Sequence, residues 1–164
     1  MVSSENVVVY IQQATGTFIP GRARMDQVSM KFTPHVLPVV VGTTVSFPNS
    51  DPVPHIVFSP EYGSFNLGVM GPGQQKEQTF GTCAKFPCVY TILCPIHVEM
   101  MGYIIVLQNP FFALTDERGH YKIDNVPPGN YTLGMWHERG RTQTRPVTVG
   151  SGVPATIDAI IPRR

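Results

Sequence analysis

The apolar positions of the chain fall into short segments separated by polar or turn-forming residues. Most of these segments have the period of two that is typical of a β-strand with one buried face. The predicted strands are residues 6–12, 28–32, 36–41, 43–47, 55–58, 74–80, 89–93, 103–107, 111–115, 121–123, 131–136, 144–149 and 155–161. Strands at this spacing, with turn signals between them, predict a β-sandwich or a barrel.

Turn-forming residues are frequent enough to argue against helices. The 164 residues include 15 glycines and 16 prolines, which leaves few windows long enough for a packed helix. Pro38 lies inside the segment 36–41, so that segment is predicted to be an edge strand or a bent strand. The chain is therefore predicted to be all-β.

Charge and hydropathy argue against two classes of partner. Lys and Arg number 12 against 11 Asp and Glu, for a net charge of +1, and no run of basic residues occurs. This balance argues against a nucleic-acid partner and against a polybasic membrane anchor. The longest strongly apolar stretch, residues 36–41, is far shorter than a transmembrane helix requires. We expect neither a nucleic-acid partner nor a transmembrane segment.

The three cysteines predict one disulfide and one functional thiol. Cys83 and Cys88 lie close together between two predicted strands, which predicts a hairpin closed by a disulfide, whereas Cys94 stands in a different motif. Disulfides are typical of oxidising compartments. Because Met1 is not followed by the basic and apolar regions of a leader peptide, the chain is either cytosolic or a mature secreted form. The cysteines favour the second, with a periplasmic or extracellular location.

Soft and borderline metal ligands lie at an informative spacing. His55 follows Pro54, and the motif Cys94-x-x-His97-x-x-Met100 lies downstream. One thiolate, two imidazoles and one thioether form the ligand set of a mononuclear electron-transfer copper site. Sulfur ligands suit Cu(I) and imidazole suits Cu(II), so a mixed site needs little rearrangement when an electron is exchanged. We predict that copper is bound by His55, Cys94, His97 and Met100.

Two alternatives concern the same residues. Met101 competes with Met100 for the axial position, but neighbouring side chains in a strand point in opposite directions, and the spacing favours Met100. A zinc site could instead use the set Cys83, Cys88, Cys94 and His97. Its spacing is not typical of a zinc knuckle, and it leaves the Pro54-His55 pair unexplained.

Several segments resemble the cupredoxins. The residues 42–51 and 54–58 carry this resemblance, the Pro-His-x-Val part being similar to plastocyanin, and the Cys94-to-Met100 spacing is that of amicyanin. Downstream, residues 110–116 and 126–133 resemble bacterial plastocyanin-like or methylamine-utilisation-like proteins with a carboxypeptidase-regulatory-like extension. The resemblance covers nearly the whole chain.

The resemblance implies a fold of two parts. A Greek-key cupredoxin sandwich is expected over residues 28–108, followed by a small transthyretin-like β-sandwich lobe over residues 109–164. Because the second part contains few strands of its own, the strand at residues 6–12 is expected to complete it.

The resemblance also implies a function. It indicates a non-enzymatic type 1 (blue) copper protein that carries single electrons outside the cytoplasm, with His55, Cys94, His97 and Met100 as ligands and a cytochrome or an oxidoreductase as its redox partner. A copper chaperone or storage protein remains an alternative, as does a structural surface module with a vestigial metal site.

Two departures from the family pattern carry expectations of their own. Many cupredoxins have asparagine after the first histidine ligand, where it braces the ligand loops, but this chain has Ile56. We therefore expect Asn49 or Ser50 to supply the brace. The Cys83–Cys88 pair occupies a plain turn of the relatives and is expected to staple a hairpin next to the copper site.

Overall fold

The computed structural model describes residues 3–164, whose regular secondary structure consists of strands. In chain order these are β1 (Val8–Ile11), β2 (Arg22–Arg24), β3 (Asp26–Val28), β4 (Lys31–Thr33), β5 (Val36–Val40), β6 (Thr44–Pro48), β7 (His55–Ser59), β8 (Phe65–Met70), β9 (Gln75–Thr79), β10 (Cys88–Leu93), β11 (Met101–Leu107), β12 (Phe112–Leu114), β13 (Gly129–Trp136) and β14 (Gln143–Val149). Within this part of the chain, no helix has the length and apolarity needed to cross a membrane.

The strands belong to two compact units. One comprises the residues up to Phe18 together with Gln108–Arg164, and the other comprises Ile19–Leu107. The sequence analysis expected the unit Ile19–Leu107 to begin at residue 28. It begins earlier in the chain, because β2 pairs in parallel with β6.

The unit Ile19–Leu107 consists of two packed sheets and a small hairpin. One sheet has the strand order β5-β11-β10-β7-β8, the other has the order β2-β6-β9, and β3 pairs with β4. Its core takes fully buried side chains from both sheets, among them Phe47 of β6, Val57 of β7 and Ile104 of β11. Alternate residues of each strand point to one face, so the two inward faces form the apolar layer of a sandwich.

The strand predicted at residues 28–32 is instead the turn region of a hairpin. Strand β3 ends at Val28 and β4 begins at Lys31, with Asp26 opposite Thr33. The two residues between them, Ser29 and Met30, have φ values of 53° and 58°. Met30 lies in the turn, but it is apolar like Val28 and Phe32. The three residues therefore have the period of two that predicts a continuous strand.

The hairpin predicted around the cysteines is also wrong, although the disulfide is present. Cys83 and Cys88 are bonded, but β9 pairs with β6 while β10 pairs with β11 and β7. The disulfide therefore lies in the connection between two sheets. Cys88 begins β10 and Cys94 follows its end, which separates them by about 20 Å of extended chain. The expectation of a staple next to the copper site is wrong.

The other unit contains one antiparallel sheet with the order β12-β1-β13-β14. Strand β1 lies between two strands from the C-terminal part of the chain, with Val9 opposite both Ala113 and Met135. Residues 121–123 and 155–161 are not strands. Ile157 and Ile161 nevertheless pack against the apolar cluster on this sheet. Within the described residues, irregular chain takes the place of a second sheet.

Candidate metal centre

Two adjacent strands bring the first two candidate ligands together. His55 is the first residue of β7, and Cys94 follows Leu93, the last residue of β10. These strands are antiparallel, with Leu93 opposite Phe58. His55 therefore lies beyond the end of β10, beside the loop that connects β10 to β11.

Two consecutive turns shape this loop. The N–H of His97 donates to the carbonyl of Cys94 at 3.2 Å, and the N–H of Met100 donates to the carbonyl of His97 at 3.0 Å. Each hydrogen bond joins residues three positions apart, which is the spacing between the ligands in the motif. The loop therefore folds back on itself and holds its three candidate ligands at one end of the sandwich.

Three donor atoms converge at this end. The Nδ1 atoms of His55 and His97 are 3.1 Å apart, and Nδ1 of His97 lies 3.7 Å from Sγ of Cys94. Ligand atoms of the three residues all lie within 4.8 Å of one another. His55 is 0% exposed and Cys94 is 2% exposed, whereas His97 is half-buried. The ring of His97 is therefore the ligand nearest to solvent.

The separations fit a trigonal site of two histidines and one cysteine. Metal–nitrogen bonds of about 2.0 Å and a metal–sulfur bond of about 2.3 Å place planar trigonal donors about 3.5 Å (N to N) and about 3.7 Å (N to S) apart. The observed separations are 3.1 and 3.7 Å. A trigonal arrangement of two imidazoles and one thiolate is the arrangement of blue-copper centres. The residues present therefore fit a copper ion.

Hydrogen bonds prepare two of the donors to bind a metal. Nε2 of His55 lies 2.7 Å from Oδ2 of Asp51, which places the ring proton on Nε2 and leaves the lone pair on Nδ1. The backbone N–H of Ile56 donates to Sγ of Cys94 at 3.4 Å. This N–H thus contacts the sulfur atom that would bind a metal as a thiolate.

Asp51 is a site residue that the sequence analysis did not single out. Burial raises the pKa of this carboxyl, but hydrogen bonds from the N–H of Met30, the ring of His55 and the N–H of Ser29 together hold its pKa below the usual value. In the sequence, the indication of this role is that the carboxylate of Asp51 lies four residues before the candidate ligand His55. That signal is weak, because aspartate is common in loops for reasons of turn chemistry.

The two methionines differ in environment. Met100 is 1% exposed and belongs to the same apolar core as Cys94. Met101 is 41% exposed, and its Sδ accepts a hydrogen bond from the hydroxyl of Tyr103 at 3.2 Å. Met100 is thus buried and Met101 lies at the surface. The burial of Met100 agrees with its choice as the candidate ligand. Its role as a ligand remains a prediction.

Asn49 braces the loop before His55. Its side-chain amide donates to the carbonyls of Val53 and Met70 at 2.9 and 3.0 Å, and its Oδ1 accepts from the N–H of Asp51 at 3.0 Å. The hydroxyl of Ser50 instead donates to Asp26. Of the two residues expected to replace the missing asparagine, Asn49 is the one that ties the loop to a neighbouring strand.

The zinc alternative is not compatible with the disulfide. It required thiolates from Cys83 and Cys88, whose sulfur atoms are bonded to each other. Cys94 is the free cysteine of the described chain. The sulfur available to a metal is therefore that of Cys94, besides the thioethers.

The chain is similar to cupredoxins of known structure over about half its length. No protein-family model matches the sequence, and no curated protein matches it. A purple cupredoxin from Nitrosopumilus maritimus is 26% identical with a TM-score of 0.45, covering 51% of this chain and 98% of that one. A Cu(I) amicyanin variant is 26% identical with a TM-score of 0.46, covering 51% and 80%. A copper-containing nitrite reductase from Thermus scotoductus SA-01 is 27% identical with a TM-score of 0.47, covering 59% and 25%.

Proposed function

We propose that this protein is a type 1 copper protein that carries single electrons between redox partners. The observation that carries the proposal is the convergence of Sγ of Cys94 with Nδ1 of both His55 and His97. Copper, when bound there, would supply the Cu(I)/Cu(II) couple. The protein residues would hold it in surroundings with little access for water, because His55, Cys94 and Met100 are buried.

Electron transfer, rather than catalysis, agrees with the closed surroundings of the site. A catalytic metal site keeps a coordination position open to a substrate. Here the buried Met100 would complete the set of residues that hold the metal, and His97 would be the candidate ligand near solvent. Electrons would then enter and leave through the partly exposed ring of His97, and no substrate would reach the metal.

The visible spectrum of the copper-loaded protein tests this proposal. A thiolate bound to Cu(II) in a trigonal site is expected to absorb intensely at about 600 nm. A copper chaperone or storage protein would lack this band and would lose its copper to a mild chelator. If the protein binds no copper and keeps its fold, it is a structural module, and the proposed function is wrong.

Substitution of the two methionines is expected to identify the axial ligand. Met100→Gln should shift both the reduction potential and the visible spectrum, because the axial ligand tunes a site of this kind. Met101→Gln should change both much less, since its sulfur faces Tyr103 at the surface. Cyclic voltammetry and absorption spectra of both variants measure the effects. The reverse result would transfer the axial role to Met101.

Three exposed apolar side chains in the two loops that carry the candidate ligands are proposed to bind the redox partner. Ile96 is 50% exposed, Val98 is 88% exposed and Val53 is 37% exposed. Exposed apolar groups that lie together mark a docking surface, and transient redox interfaces can be smaller than about 1,200 Å². With a net charge of +1, electrostatic steering is expected to be weak. The partner would be a cytochrome or an oxidoreductase with an apolar docking face.

Ile96→Lys is expected to slow electron transfer to such a partner by about tenfold or more, since burying an unpaired ammonium at the interface is costly. The control is Ile19→Lys, because Ile19 is also exposed but lies far from the site. Ile19 precedes β2, which begins beside the first residue of β6, whereas the site lies beyond the last residue of β6. Stopped-flow rates across ionic strength measure both variants. An unchanged rate for Ile96→Lys with a steep salt dependence would place the docking surface on a charged face.

We also propose that the protein works outside the cytoplasm, in the periplasm or the extracellular space. The Cys83–Cys88 disulfide supports this proposal, because such bonds persist in oxidising compartments. Thiol titration of the unfolded protein, isolated without reductant, should find about one thiol per chain. Three reactive thiols would indicate a reducing compartment and would contradict the proposal.

A further inference from the structure

A buried carboxylate lies directly behind one candidate ligand. Asp51 is 7% exposed, and its Oδ2 lies 2.7 Å from Nε2 of His55. Nε2 is the ring nitrogen opposite to the one that faces His97 and Cys94. The carboxylate therefore contacts the ligand from the side away from the metal position.

The same carboxylate binds the tip of the β3–β4 hairpin. Its Oδ1 accepts a hydrogen bond from the N–H of Ser29 at 2.5 Å, and its Oδ2 accepts one from the N–H of Met30 at 2.9 Å. Both residues have left-handed backbone conformations, which non-glycine residues adopt at an energetic cost. The contacts with Asp51 offset this cost, because the two N–H groups meet one carboxylate in that conformation.

The position of Asp51 is itself well determined. Its N–H donates to Oδ1 of Asn49, and the amide of Asn49 donates to the carbonyls of Val53 and Met70. The carboxylate is thus held by its own loop as well as by the hairpin. A group fixed from two sides can transmit a displacement of one neighbour to the other.

We propose that Asp51 is a positioning residue that couples the Ser29–Met30 tip to His55, so that the tip conformation sets the tautomer and orientation of that ring and thereby tunes the metal site. The effect on copper rests on the proposed function; the effect on the ring does not. A carboxylate that accepts the Nε2–H also makes Nδ1 a stronger donor. This favours Cu(II) over Cu(I) and lowers the reduction potential.

Asp51→Asn tests the contact between the carboxylate and the ring. The amide has one acceptor oxygen for three donors, and its NH₂ group can pair with Nε2 only if the ring proton moves to Nδ1. A proton on Nδ1 blocks metal binding. We expect the affinity for Cu(II) to fall about 10- to 100-fold. A tenfold loss for Cu(II) relative to Cu(I) would raise the reduction potential by about 59 mV. Asp51→Glu, which keeps the charge, should retain the Nε2 tautomer.

The hairpin variants test the coupling itself. Ser29→Pro removes one N–H donor and cannot adopt a positive φ, whereas Ser29→Gly keeps both the N–H and the conformation. Ser29→Pro should change the ring resonances of His55 and the potential in the same direction as Asp51→Asn, and Ser29→Gly should leave both unchanged. The expected effect of Ser29→Pro on His55 arises through the backbone N–H of residue 29, which contacts Asp51, and not through the side chain at this position.

The decisive measurement uses the metal-free protein. Long-range ¹H–¹⁵N spectra report which ring nitrogen of His55 carries the proton, and circular dichroism reports the fold of each variant. We expect the Nε2 tautomer in the unsubstituted protein and in Ser29→Gly, and an increased Nδ1 population in Asp51→Asn. If folded Asp51→Asn keeps the Nε2 tautomer, or if folded Ser29→Pro leaves the His55 signals unchanged, the coupling is wrong. If the tautomers change as expected but the protein binds no copper, the coupling holds and the proposed function fails.

Discussion

Replacement of Cys94 by alanine is expected to abolish the intense visible absorption of the copper-loaded protein. The band requires a thiolate bound to Cu(II), and Cys94 is the free cysteine of the described chain. The other two cysteines form a disulfide and offer no thiolate. Cys94 is 2% exposed, but the substitution removes one buried atom, so the loss of stability is expected to be about 1 kcal/mol. The variant should therefore remain folded and lose its colour.

Titration with Cu(II), followed by absorption and circular dichroism, measures this loss. The matched control is the double variant Cys83→Ala, Cys88→Ala, which removes two sulfur atoms at the far end of β10. The control should keep the colour, with a stability lower by about 2 kcal/mol, at the low end for disulfides because the loop is short. A coloured Cys94→Ala variant, or a folded control without colour, would end the assignment of the thiolate.

Gly134→Ala is expected to destabilise the unit built on β1 by about 1–3 kcal/mol, the usual cost of overpacking a core. Gly134 lies opposite Tyr10 in the pairing of β13 with β1. A Cβ atom at this position would lie 2.4 Å from Cζ and 2.6 Å from Cε2 of the Tyr10 ring. Tyr10 is 2% exposed, so its ring has little space in which to move. The cost arises from packing, because the backbone of Gly134 is not in the left-handed region.

Urea denaturation of the variant measures this cost. Gly150→Ala is the control, since Gly150 follows β14 and a Cβ there meets no atom within 4 Å. Its stability should change by less than about 1 kcal/mol. Shortening the opposing side chain with Tyr10→Leu should reduce the penalty of Gly134→Ala, and a double-mutant cycle measures that coupling. Equal effects at Gly134 and Gly150 would show that the ring does not pack against the glycine.

Much of the strand pattern, and the three residues whose donor atoms converge, could be predicted from the sequence. Strands such as β5, β7 and β11 carry their alternation or their β-branched residues locally, so no tertiary information is needed to find them. The three donors that converge occupy two short segments, one of which contains both Cys94 and His97. Because a loop of this length has few conformations, its spacing restricts the distance between its ligands.

Other elements could not be predicted because their stability is not local. Strand β2 is short and polar, and its pairing with β6 is what makes it a strand. Strand β8 contains Gly68, a residue that weakens strand propensity. Conversely, residues 155–161 have an apolar pattern but contribute Ile157 and Ile161 to a core without joining a ladder. Pairing with distant strands decided the first two outcomes, and packing of side chains decided the third.

By itself, the sequence determined which residues could offer donor atoms to a metal and the all-β character of the chain, since both depend on residue types and on spacings of a few residues. Tertiary structure alone decided that β1 lies between β12 and β13, where Tyr10 covers Gly134. It also decided that Asp51 joins the turn at Ser29 to His55. These contacts link residues far apart in the chain or in different loops. Their free energy comes from burial and from hydrogen bonds that exist only once the sheets have packed, so no local pattern encodes them.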